Sequence, residues 1–290
     1  MLDQLQWSGP LLLGAIDWNP LNWQSWPFVV VIVASLLLRF FLPPPRTALQ
    51  HFIAEFLLLL PAILLYFLVR GLVDARASDA IANARQVIDI EKQLGIFVEI
   101  DLQETLLRSE TIKTLVNWIY IWMHWPVVAV TIIWLVTHRP RERYSVYLNA
   151  FLISAAIGMV IFALYPVAPP RLMPELGLED TVTRHSHSYR VLQPPGLTNP
   201  FAAMPSLHFG WNLLIGIAIV REARHPLART FGVVMPAMMF SAIVLTANHY
   251  IIDGVAGGML TTLCLLIAMR LPRDGDRWLT WHGLNGQGRE

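Results

Sequence analysis

The sequence predicts an all-α, polytopic transmembrane helical bundle with six or seven spans, and three observations lead there. Hydrophobic residues make up 55% of the 290-residue chain and charged ones only 14%, with a mean hydropathy of +0.51; soluble domains carry about 25% charged residues. Apolar stretches near the ~20 residues that a helix needs to cross a bilayer recur along the chain. The connections between them alternate between arginine-rich and arginine-poor, as expected where Lys and Arg gather on the cytoplasmic side.

Composition also excludes several classes. Lys plus Arg number 21 and Asp plus Glu 20, so a net charge of +1 offers no field for a nucleic acid. The single cysteine, Cys264, rules out a disulfide framework and a cysteine zinc site. Eleven Trp and thirteen Phe suit a chain with aromatic belts at the membrane surface.

In chain order, residues 1–25 read as interfacial, and the opening has no signal-peptide pattern of basic, short apolar and small-residue segments, so no removable leader is expected. Spans are expected at 26–42, 52–73, 114–136, 146–165, 206–220, 230–248 and 250–269. The first and fifth are short and the last two are separated by a tight connection, so six spans stand as the alternative to seven. Arg39 and Arg46 follow the first span, Arg139, Arg141 and Arg143 the third, Arg221, Arg224 and Arg229 the fifth, and Arg270, Arg273 and Arg277 the last. These ends are expected inside and the connections 74–113 and 166–205 outside, which places the N-terminus outside and the C-terminus inside. Residues 78–108 space Ile81, Val87, Ile88, Leu94, Phe97, Leu102 and Leu106 as amphipathic helices do. They read as an outer-surface helical segment, lying in the interface or packed as a cap over the bundle. The chain divides into N-terminal spans and interfacial helices at 1–113, a membrane core at 114–270 and a cytoplasmic tail at 271–290.

Ionisable groups in or just above lipid are costly and are functional candidates by default. At the expected outer end of the fourth span, prolines 166, 169 and 170 stop the helix and Arg171 emerges, as a phosphate ligand or as an arginine snorkelling to headgroups. The fifth span opens with Met204-Pro-Ser-Leu-His208. With Pro205 in the first turn, the amides of Ser206, Leu207 and His208 would form an anion site, and His208 would sit within proton-transfer reach of its occupant. The alternative is that Ser206 only caps the helix and His208 is an interface residue. The last span opens with Asn248-His249-Tyr250-Ile-Ile-Asp253. The four-residue spacing lets Asp253 accept from one imidazole nitrogen of His249 and leaves a lone pair on the other, an activated base or nucleophile or else a structural pair. Gly254, Gly257 and Gly258 would allow close helix packing. Tyr120 and His124 lie in the third span, with His124 about 15 Å in, where it reads as a hydrogen-bonded packing residue. Tyr165, Asn248 and Tyr250, and His185, His187 and Arg190 in the outer loop, are candidates for headgroup contact.

The order Pro-Pro-Arg171, Pro205-Ser-Leu-His208 and His249-x-x-x-Asp253 resembles the membrane type 2 phosphatidic acid phosphatase (PAP2) superfamily, over about residues 80–270. The Ala-Met-Pro-Ser-Leu-His and Asn-His-Tyr segments look most like its branch related to inositol phosphorylceramide synthase. The resemblance implies His249 as a nucleophile forming a phosphohistidine, Asp253 as its orienting partner, His208 as the acid for the leaving oxygen, and Arg171 with Ser206 as phosphate ligands. The superfamily's phosphatases carry a lysine where this chain has Leu164, a proline at Leu172, an arginine at Ile243 and a glycine at Leu207.

With two of three customary cations replaced, a monoester dianion would be under-neutralised, and a phosphodiester donor is favoured. The expected activity is cleavage or transfer of a lipid's phosphate-linked headgroup to water or an alcohol, without metal or cofactor, at the extracytoplasmic face of the plasma membrane. The expected partners are the bilayer, a lipid phosphate or phospholipid, and an alcohol acceptor. Three alternatives remain: a lipid phosphate monoesterase, an intramembrane serine hydrolase using Ser206 and His249, and a lipid-binding protein without turnover.

Overall fold

A computed structural model describes residues 26–42, scattered positions between 53 and 69, 76–182 and 199–271. The expected interfacial segment 1–25, most of the second span at 52–73, the tail beyond 271, and His185, His187 and Arg190 lie outside the described residues. Within them the fold is all-α: α1 Trp26–Phe41, α2 Ala77–Leu94, α3 Glu99–Leu107, α4 Glu110–Trp122, α5 Trp125–His138, α6 Arg141–Leu164, α7 Leu207–Glu222, α8 Pro226–Leu245 and α9 Ile251–Arg270. Among the described residues, four helical segments are long and apolar enough to cross a membrane: Glu110–His138, Glu142–Leu164, Pro226–Leu245 and Ile251–Arg270. The protein is an integral membrane protein built as a helical bundle.

The span expected at 114–136 is two helices. Pro126 has no N–H and its ring would collide with the carbonyl four residues back, so the ladder breaks and α5 restarts at Trp125. His124 sits in that break with φ −98° and ψ −96°. The span expected at 206–220 begins at Leu207, not at Pro205. Ser206 takes the N-cap and its Oγ accepts the Phe209 amide at 3.4 Å, which leaves Pro205 ahead of the helix.

Helix α7 runs along the bundle centre against α6, α8 and α9, and buries Trp211, Leu214, Ile215 and Ala218. Its approach to α9 depends on missing side chains. A Cβ at Gly257 would run into the Ser206 carbonyl, and one at Gly210 would collide with Thr261 Oγ1 and the Gly257 carbonyl. The expectation of close packing at Gly257 is met here, where the two helices begin.

Residues 77–107 form a cap over one end of the bundle. Ala80, Ala84, Val87 and Ile88 of α2 face a buried cluster with Val167, Ala168, Met173, Phe201, Ala203 and Tyr250. Polar bonds fasten the cap to the proline-rich loop: Asn83 Nδ2 donates to the Pro166 carbonyl at 2.8 Å, and Ala168 donates to the Ala80 carbonyl at 3.0 Å.

Candidate functional site

Three chain segments meet under the cap. After α6, residues 165–172 carry Arg171; before α7, residues 199–206 lead to His208; between α8 and α9, residues 246–250 carry His249. Backbone bonds hold the three together. Val167 donates to the Phe201 carbonyl at 2.9 Å and Ala203 donates to the Val167 carbonyl at 3.2 Å. Arg171 donates its amide to the Ala247 carbonyl at 3.0 Å, and Ser206 donates to the Asp253 carbonyl at 2.8 Å. The turn that presents the Ala247 carbonyl is strained, because Ala247 has φ +54°, a left-handed conformation that costs an L-residue roughly 1–2 kcal/mol. It also ends α8 earlier than the sequence suggests, and Asn248 and His249 both donate to the Ile243 carbonyl, at 3.1 and 3.0 Å.

His208 and His249 face each other with ring centroids 5.8 Å apart. The Nδ1 of His249 lies 2.8 Å from the Ala203 carbonyl, which can only accept, so Nδ1 carries the proton and Nε2 keeps its lone pair. Asp253 Oδ2 is 3.7 Å from the same nitrogen. The shorter contact of Nδ1 is therefore to a backbone carbonyl, with the Asp253 carboxyl beside it. The physical reason is that His249 lies ahead of α9, not on it. Asp253 folds back to accept the amide of Tyr250, the N-cap, at 2.8 Å, and this fold-back brings the carboxylate near His249.

His208 is held from behind by α4 and by the break between α4 and α5. Tyr120 stacks on its ring at 4.7 Å and His124 tilts against it at 4.2 Å. Asn212 Nδ2 lies 2.9 Å from His124 Nδ1 and donates to the His208 carbonyl at 2.8 Å. His124 is hydrogen-bonded, as expected, but it is part of the site wall because the break at Pro126 delivers it there. The Nε2 of His208 is buried and has no hydrogen-bond partner among the described residues.

At the start of α7, fewer amides are free for an anion than the sequence suggests. The Ser206 amide is bound to Asp253 and that of Phe209 to the Ser206 hydroxyl, so Leu207 and His208 supply the first-turn amides that have no partner among the described residues. Ser206 is fully buried as the cap. Arg171 lies 3.4 Å, through Nε, from Asp180 Oδ2. Tyr165 donates to Gln86 of the cap at 3.1 Å, and its partial burial pushes the phenol above its usual value. Asn248 braces the turn by donating to Thr246 Oγ1 at 2.8 Å, and Tyr250 is wholly buried beneath α2. Neither of these two presents its side chain as an open headgroup contact. Among the described residues no three His, Cys, Asp or Glu side chains group as a metal site would.

Sequence reasoning missed Glu91 and Glu99. Both are fully buried and accept the amides of Ile252 at 2.8 Å and Ile251 at 3.2 Å, at the start of α9. A signal was present: Glu91 falls on the Ala80, Ala84, Val87, Ile88 stripe of α2, where a carboxylate needs a buried partner.

A family model described as the PAP2 superfamily matches residues 85–267, from the middle of α2 into α9. No curated protein and no solved structure matches the chain.

Proposed function

The chain belongs to the PAP2 superfamily, a membrane family of phosphatases and phosphotransferases acting on lipid-type substrates, and from that premise we propose that it cleaves or transfers the phosphate-linked headgroup of a phosphodiester lipid through a phosphohistidine. The observation that carries the proposal is the pair of imidazoles, His208 and His249, set 5.8 Å apart beside Arg171 under one cap.

In the proposed reaction the Nε2 lone pair of His249 attacks phosphorus in line with the leaving oxygen. The bond to that oxygen breaks and His208 gives the departing alkoxide its proton. Water or an alcohol then attacks the phosphohistidine and gives its own proton to His208, and the bond from phosphorus to Nε2 breaks to release His249. Arg171 and the Leu207 and His208 amides, with the α7 dipole behind them, meet the charge on the non-bridging oxygens. Nothing in this route calls on a metal or a cofactor.

The diester preference rests on what surrounds the phosphate. Leu164 is 73% exposed at the end of α6, and Ile243 is fully buried in an apolar cluster, so neither position adds a cation. One guanidinium and two amides suit one negative charge better than two. The transferase side of the proposal follows the likeness to the inositol phosphorylceramide synthase branch. The outward orientation rests on charge, since Arg139, Arg143, Arg221 and Arg224 gather at the opposite end of the bundle. The capping bond of Ser206 speaks against a serine hydrolase.

The test is a purified-protein assay that follows diester phospholipids and phosphatidic acid in parallel, with chelator present and products resolved into hydrolysis and transfer. Turnover of the diester, lost in His249→Ala, is the expected result. Exclusive use of phosphatidic acid rejects the diester preference, and full activity of His249→Ala rejects the mechanism.

A further inference from the structure

The end of the bundle remote from His208 and His249 carries a cavity that this chemistry does not use. Helix α5 ends at His138, Arg139 and Pro140 turn the chain into α6, and α7 ends at Glu222 before the turn into α8. The two turns face each other across a cavity of about 390 Å³ lined by His138, Arg139, Arg143, Arg221, Glu222 and Arg224. From His208 to Glu222 is about 21 Å along α7.

The lining is built, not merely basic. Glu222, with its side chain 5% exposed, holds Arg139 Nε at 3.3 Å and Arg143 Nη2 at 2.9 Å, and accepts the Tyr147 hydroxyl at 3.1 Å. Arg139 also donates to the Glu222 carbonyl and lies over the Trp134 ring. These contacts fix two guanidinium groups at the cavity wall. Arg221 has only a 3.9 Å contact with Met269 Sδ, and Arg224 has no partner among the described residues. Four guanidinium groups against one carboxylate leave the cavity with three positive charges. Membrane topology asks for arginines in such a loop, but not for a cavity with two of them pinned by a buried acid.

A small apolar crevice of about 10 Å³ adjoins this cavity between α5 and α6, lined by Val136, Tyr144, Leu148 and Phe151. Tyr147 lines the crevice and bonds to Glu222, so the two share a wall. We infer that this end of the bundle is a second, non-catalytic site that holds the phosphorylated headgroup of an anionic membrane lipid. A charge of this size at a helix end suits a headgroup bearing a phosphate monoester better than a diester alone. The inference does not rest on the reading of the histidine site.

The test titrates the purified full chain with phosphatidylinositol 4-phosphate, phosphatidylglycerol and phosphatidylcholine and reads bound lipid by native mass spectrometry. Retention is expected in that order, falling at least ten-fold for the phosphoinositide in the Arg221→Gln, Arg224→Gln double variant. Both residues are exposed and outside the Glu222 cluster, so thermal unfolding should not change. His249→Ala should retain the phosphoinositide as the parent does, which separates this site from the catalytic one. Equal retention by parent and double variant, or no preference over phosphatidylcholine, overturns the inference. So does inorganic phosphate that competes as well as the lipid, because the site would then hold a soluble anion.

Discussion

Glu91 accepts the backbone N–H of Ile252 at 2.8 Å across 161 residues of sequence, and this bond ties the cap to the helix that begins beside His249. Glu99 takes the Ile251 amide and Asp253 the Tyr250 amide, so three carboxyl groups meet the first amides of α9. A helix N-terminus favours negative charge, but not three buried charges side by side. Burial above all, and then the neighbouring Glu99 carboxyl, push Glu91 up from the ordinary carboxylate value to about 9.

That shift fixes the sign of a pH dependence. In the folded protein Glu91 keeps its proton at neutral pH, whereas in the unfolded chain it gives the proton up. The folded state therefore binds more protons between the ordinary carboxylate value and about 9, and stability should fall as pH rises through that window. Glu91→Gln keeps an acceptor for Ile252 and cannot ionise. Thermal unfolding followed from pH 5 to 9 should show a smaller decline in Glu91→Gln than in the parent. An identical slope in both would mean that Glu91 does not hold the proton.

The contact between α7 and α9 gives a second prediction. At Gly257 an added methyl would run into the Ser206 carbonyl, a backbone atom that cannot swing aside. The helices must separate, and His208 and His249 stand at their starts. Gly257→Ala is expected to cost about 1–3 kcal/mol of stability, the range typical of overpacking. Turnover should fall further than stability, because in-line transfer tolerates little misplacement. Paired unfolding and activity measurements check this, and unchanged turnover would show that the imidazole spacing does not depend on this contact.

How much of this was legible follows from what each signal encodes. Helix existence was, because apolar stretches of membrane length are a local property, and α6, α8 and α9 lie close to where hydropathy puts them. Helix breaks were less so: the interruption at His124 depends on Pro126 inside an unbroken apolar run. The site residues were legible as motifs, since proline, serine, histidine and aspartate at short spacing are unusual in lipid. Their bonding was not. Periodicity places His249 and Asp253 on one helical face, whereas His249 precedes the helix and bonds to Ala203, a partner 46 residues away that no local pattern marks. Glu91 was hidden among the acidic residues of the 74–113 connection, although its register on the α2 stripe set it apart.

Arg171 and Asp180 supply a third prediction. The carboxylate lies 3.4 Å from Arg171 Nε, and both side chains are largely sheltered. An anionic substrate that engages Arg171 must compete with this charge. Asp180→Asn removes the competing charge with little change of shape, so the Michaelis constant for an anionic lipid should fall several-fold while kcat changes little. Steady-state kinetics distinguish the outcomes. A raised Michaelis constant would mean that Asp180 positions Arg171 for substrate.

Asp253 makes two contacts whose roles one substitution can separate. Its Oδ2 accepts the Tyr250 amide, which caps α9, and its charge lies 3.7 Å from His249 Nδ1. Asparagine keeps an acceptor oxygen for the cap and loses the charge. If the carboxylate mattered only as a cap, Asp253→Asn would fold and turn over normally, while Asp253→Ala would lose about 1 kcal/mol of stability. If the charge supports the imidazole as it becomes cationic on attacking phosphorus, Asp253→Asn should fold normally and lose on the order of 10²–10⁴-fold in kcat. The second outcome is expected, because the Ala203 carbonyl already sets the tautomer and a neutral carbonyl cannot balance the positive charge that phosphorylation places on the ring. Near-normal kcat in a well-folded Asp253→Asn would assign the residue to the helix cap alone and leave His249 activated by Ala203.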